Sequence, residues 1–101
     1  DVYKRQVLVD LIIDYPLPSL VWVGMWLPAK GVSSVELASY YQSLVTTLKT
    51  AGAVQLQLSN FMGDRQMKQF WEDQGLVAVQ TTTVTKGSRA ANVTIYQDKF
   101  R

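Results

Sequence analysis

The sequence predicts an α+β domain, a mixed sheet of five strands with two helices in the order β-β-α-β-α-β-β. Three observations predict it. Two stretches of helical periodicity, each opened by a capping residue and closed by a glycine, alternate with stretches of strand character. Strands separated by helices imply a parallel crossover in the middle, and hairpins at the ends imply antiparallel flanks. The length of 101 residues, with 48% apolar and 18% charged, is room for one core-forming domain.

Residues 7–14 (VLVDLIID) are aliphatic and β-branched and read as a strand. Tyr15, Pro16, Leu17, Pro18 and Ser19 break it, because proline cannot continue a ladder. Residues 20–27 (LVWVGMWL) form an apolar run between turn signals, the pattern of a strand covered on both faces. A loop over 28–31 follows. Ser33 with Glu36 is a capping box, and Leu37, Tyr41, Leu44, Val45 and Leu48 form one helical stripe that ends at Gly52. Tyr41 therefore belongs to the core and Tyr40 to the stripe's edge.

Residues 53–59 (AVQLQLS) alternate strictly, with Val54, Leu56 and Leu58 on one face. A loop is expected over 60–63. Asp64 caps a short helix to Gln74 that sets Met67, Phe70 and Trp71 on one face, with Gly75 as its stop. Residues 76–84 and 91–97 read as a hairpin around 85–89. Thr81, Thr82 and Thr83 suit an exposed β face.

The chain has no histidine and no cysteine. Disulfides, cysteine or histidine metal sites, a thiol nucleophile and a Ser-His-Asp triad are therefore excluded within it. The net charge is +2, and Lys86 and Arg89 at a hairpin tip make no nucleic-acid footprint. No apolar run approaches the roughly 18–20 residues that span a bilayer. Asp10 and Asp14 share a face if the first strand is regular, the face of a solvated strand or of a site for a substrate amine.

Residues 1–6 (DVYKRQ) resemble the translated end of a transposon used to prepare sequencing libraries. They are set apart as a scar, which leaves 7–101 as a single domain fragment whose native start lies upstream.

Residues 64–76 (DRQMKQFWEDQGL) resemble the last motif of the GNAT superfamily of N-acetyltransferases. Asp64 stands for the family's asparagine, Phe70 and Trp71 for its aromatic pair, Gly75 for its glycine and Leu76 for its final aromatic. The resemblance extends over roughly 7–97 and implies a GNAT-like fold truncated at the N-terminus. It implies acyl transfer from acetyl-CoA to an amine on a small molecule or protein, in the cytoplasm. It also implies a cleft between the strands 20–27 and 53–59. The backbone at Met25 and Leu27 would pair with the pantetheine arm. Lys30 and the amides of Gly31, Val32, Ser33 and Ser34 would face the pyrophosphate at the helix start, and Asp64 and Phe70 would complete the cofactor site.

Three departures separate the chain from that pattern. The pyrophosphate loop of the family carries two small residues, and here Gly31 is the single glycine, with Glu36 adding a negative charge in the first turn. Trp71 replaces the tyrosine that serves as general acid, and an indole N–H does not supply a proton near neutral pH. Asp64 adds negative charge beside a polyanion. The readings are thus an acyl-CoA-dependent N-acyltransferase with weakened cofactor binding, an inactive GNAT-like binding or structural module, and a ferredoxin-like dimer.

Overall fold

The computed structural model describes residues 7–100. The assigned scar over 1–6 lies outside them. The elements are β1 (Val7–Ile13), β2 (Leu20–Pro28), α1 (Ser34–Thr50), β3 (Gln55–Phe61), α2 (Arg65–Asp73), β4 (Val77–Lys86) and β5 (Arg89–Lys99). They build one sheet in the order β1-β2-β3-β5-β4. The β2–β3 pair is parallel and the other three pairs are antiparallel. Five strands in the element order β-β-α-β-α-β-β do not fit the four-stranded ferredoxin-like order β-α-β-β-α-β, and that expectation falls.

Local chemistry accounts for the helices. In α1 the Ser33 hydroxyl accepts from the Glu36 amide and the Glu36 carboxylate accepts from the Ser33 amide, both at 3.1 Å. Gly52 and Gly75, at φ 97° and 92°, follow the two helices in the left-handed conformation that a Cβ disfavours. The Asp64 carboxylate accepts from the Met67 amide at 3.1 Å and starts α2.

Both helices pack on one face of the sheet. Leu37, Tyr41 and Leu48 of α1 and Phe70 and Trp71 of α2 meet Val21, Val23, Leu56, Leu58 and Tyr96 in a single core. Each such side chain taken fully out of water is worth about 1.5–3 kcal/mol.

Four expectations need correction. β2 is covered on one face only. Leu27 and Met25, paired across from Leu8 and Asp10, project from the other face and are 57% and 43% exposed. β3 begins and ends two residues later than the alternation implied. Val54 precedes it and is exposed, while Asn60, expected in a loop, keeps step with Leu56 and Leu58 and is buried. Asn60 is tolerated there because its amide nitrogen donates to two carbonyls. The final hairpin turns through Gly87 and Ser88 alone, since Lys86 pairs with Arg89 and Gly87 takes φ 63°. Asp14 does not share a strand face with Asp10. It lies past the end of β1 at φ 58°, where its carboxylate accepts from the Ser19 amide at 2.9 Å and closes the turn.

Candidate functional site

The parallel ladder between β2 and β3 is short. It runs from Leu20 opposite Gln55 to Val23 opposite Leu58, although β2 continues to Pro28 and β3 to Phe61. The reason lies at Gly24. Val23 pairs with Leu11 and Met25 with Asp10, so Gly24 is an extra residue in β2. A bulge bends its strand and raises its twist, and here it turns β2 away from β3. The parted strands leave a cleft of about 330 Å³. Gly24, Met25 and Trp26 form one wall, Ser59, Asn60 and Phe61 the other, and Asp64, Met67 and Trp71 the helix side.

Trp26 organises the rings behind this cleft. Its centroid lies 5.0 Å from that of Trp71 and 5.8 Å from that of Tyr40, both edge-on. Trp71 in turn packs edge-on against Tyr41 and Phe70 at 5.5 and 5.0 Å. Such pairs add about 0.5–1.5 kcal/mol each beyond the area they bury. Trp26 Nε1 is fully buried and has no acceptor among the described residues.

A second depression, of about 480 Å³, opens between the start of α1 and α2. Val32, Ser34 and Phe70 contribute to it, and Met67 lines both it and the cleft. Met67 therefore borders both spaces. A larger cavity, about 620 Å³, lies elsewhere, beside Lys49, Gly75 and Lys99, and takes in no residue singled out from the sequence as a cofactor contact.

The two core tyrosines carry committed hydroxyls. Tyr41 donates to Asp98 Oδ2 at 2.7 Å and Tyr96 to Glu72 Oε2 at 3.0 Å. Burial, reinforced by the Asp98 carboxylate, pushes the Tyr41 hydroxyl far above its ordinary range. Glu72 is held below the usual carboxylate range by Lys68, 3.0 Å away, and by the Tyr96 hydroxyl. At the start of α1 the hydrogen bonds from Ser33 lower the Glu36 carboxyl, so that turn keeps a negative charge.

A scan against protein-family models and a search of curated proteins find no match to this sequence. Solved structures do match its shape. A candidate acetyltransferase from Staphylococcus epidermidis superposes with a TM-score of 0.84 at 7% identity, over 95% of this chain and 61% of that one. A candidate acetyltransferase of the GNAT family from Desulfovibrio desulfuricans gives 0.76 at 11% identity, over 96% and 62%. A Bacillus subtilis acetyltransferase in complex with CoA gives 0.76 at 6%, over 98% and 72%. The fold is that of the GNAT acetyltransferases. The chain spans just over six-tenths of the first two structures.

Within this GNAT fold the residues read from the sequence divide three ways. Met25 and Asp64 line the cleft. Val32, Ser34 and Phe70 line the adjoining depression. Leu27, Lys30, Gly31 and Ser33 line neither: Leu27 stands across from Leu8, Gly31 turns the loop at φ 86°, and Ser33 is engaged in the capping box. Gly24, Trp26 and Asn60 line the cleft without being among the residues the sequence points to. A lone glycine inside a strand pattern is a signal for a bulge, and it was available for Gly24. Asn60 and Trp26 had no local signal, because their roles come from the parting of two strands.

Proposed function

We propose that this protein binds an acyl-CoA thioester in the cleft between β2 and β3 and transfers the acyl group to an amine. The observation that carries the reading is the early end of the β2–β3 ladder at the Gly24 bulge, which opens a slot in the middle of the sheet. The Bacillus subtilis structure with the same fold holds CoA, in support of this ligand class.

The residues present fit the two ends of such a ligand unequally. The cleft fits an extended arm: strand backbone on both sides, apolar rings behind and a buried carboxamide within. The start of α1 fits a pyrophosphate less well. The capping box already uses the amides of Ser33 and Glu36, and it fixes the Glu36 carboxylate where an anion would lie. Bound there, acetyl-CoA supplies a thioester carbonyl open to attack by an amine. Trp26, Phe70 and Trp71 keep water from the helix side of the slot, and Met25 and Phe61 flank its mouth.

The test is a thermal shift with acetyl-CoA. At a tenfold excess over Kd the ligand adds about 1.4 kcal/mol, which raises Tm by several degrees in a domain of this size. No shift at millimolar acetyl-CoA overturns the reading. A second reading, binding without turnover, draws support from Trp71, whose indole is packed in the core, and from the Tyr41 and Tyr96 hydroxyls, which are tied to carboxylates. It predicts the same shift with no release of free thiol when amines are added.

A further inference from the structure

Asn60 is the one buried polar side chain in the core-facing row of β3, at 9% exposure. Its Nδ2 donates to the Phe61 carbonyl at 3.1 Å and to the Asp64 carbonyl at 3.2 Å. Two carbonyl acceptors fix which end of the carboxamide is nitrogen, because an oxygen there would face two oxygens. Oδ1 therefore points away from the loop, and no donor reaches it among the described residues. The single fully buried side-chain nitrogen or oxygen left without a partner among those residues is Trp26 Nε1. The Asn60 oxygen, also without a partner, thus keeps access to open space, and that space is the cleft Asn60 lines.

We propose that Asn60 is a positioning residue whose carboxamide oxygen accepts a hydrogen bond from an amide N–H of the pantetheine arm in the β2–β3 cleft. The inference rests on the acyl-CoA reading given above and deepens it. A ligand that fills the cleft takes that oxygen out of water, and an N–H placed against it replaces the hydrogen bond that would otherwise be lost. The geometry favours the arm over the acceptor amine. Asn60 faces the helix side with Leu56 and Leu58, and Met67 borders both this cleft and the depression at the start of α1. A long ligand with its anionic end beside α1 passes Met67 and brings its amides to Asn60.

The alternative is that Asn60 only ties the β3–α2 loop. Binding of CoA is compared with that of two analogues, each with one amide N–H replaced by an ester oxygen. For the unaltered protein, one analogue is expected to bind about 2- to 12-fold more weakly, the effect of one neutral hydrogen bond. In Asn60→Ala that difference should vanish. In Asn60→Asp it should persist, since the acceptor remains although the donor to the loop is lost. Equal binding of CoA and both analogues to the unaltered protein overturns the proposal, as does a difference that survives in Asn60→Ala. If neither variant folds, the Asn60 side-chain carbon resonance of the unaltered protein decides: it should move with CoA and less with the weaker analogue, and equal movement overturns the proposal. Failure of CoA to bind at all removes the acyl-CoA reading together with this one. Binding without discrimination removes only the role of Asn60.

Discussion

The hydroxyl of Tyr41 joins the middle of α1 to Asp98 near the end of β5, across 57 positions of sequence. Folding holds this proton on. Below the ordinary tyrosine value of 10.0 both the folded and the unfolded chain keep it, and the contribution to stability is complete. Above that value the unfolded chain ionises while the folded one resists, so stability falls as pH rises. Alkaline unfolding is expected to begin near pH 10, and Tyr41→Phe should flatten that slope in denaturant titrations at several pH values. The same variant strips Asp98 of its donor and should lose about 1–3 kcal/mol at neutral pH. Glu36 gives a prediction of the opposite kind. Glu36→Gln keeps a side chain that can cap Ser33 but removes the charge at the start of α1. On the acyl-CoA reading its Kd for acetyl-CoA should fall, measured by calorimetry at low salt, where screening is weakest.

At the scale of elements, the helices were legible in the sequence and the strand ends were not. Caps and glycine stops act within four residues, so Ser33, Glu36, Gly52, Asp64 and Gly75 declared both helices without knowledge of the rest. Strand limits depend on partners far away in sequence. Nothing near Asn60 says that β3 continues through it; Thr94 opposite it on β5 does. The cleft was legible as an expectation of the resemblance, through the motif at Asp64, Phe70 and Trp71. Its physical origin at Gly24 becomes visible only when β1 and β2 are set side by side. Ser33→Ala tests the helix argument. It removes the cap and should cost about 1 kcal/mol, with a range near 0.5–2, read as a lowered urea midpoint at unchanged m-value.

At the scale of the molecule, protection is uneven. β3 lies between β2 and β5, and its Leu56 and Leu58 are 0% and 2% exposed. β4 is at the edge of the sheet and every one of its residues is exposed. Native-state hydrogen exchange should therefore be slowest in the middle of β3 and fast along the outer side of β4. Equal protection in the two strands contradicts the strand order. The face of the sheet away from the helices carries Leu8, Ile12, Met25 and Leu27, each more than four-tenths exposed. Apolar surface of this kind binds hydrophobic dyes in the native state, and Ile12→Gln with Leu27→Gln should reduce dye fluorescence without lowering Tm by more than a few degrees.

The position of β5 also sets an order of events during synthesis. β5 follows β4 in the chain but sits between β3 and β4 in the sheet. Until Arg89–Lys99 leaves the ribosome, β3 lacks a neighbour on one side and β4 has none at all. Asp98, the anchor for Tyr41, arrives with the same strand. From the emergence of β4 until β5 follows, the edges of β3 and β4 that will face each other across β5 stay unpaired, and both are closed when β5 slots in between them.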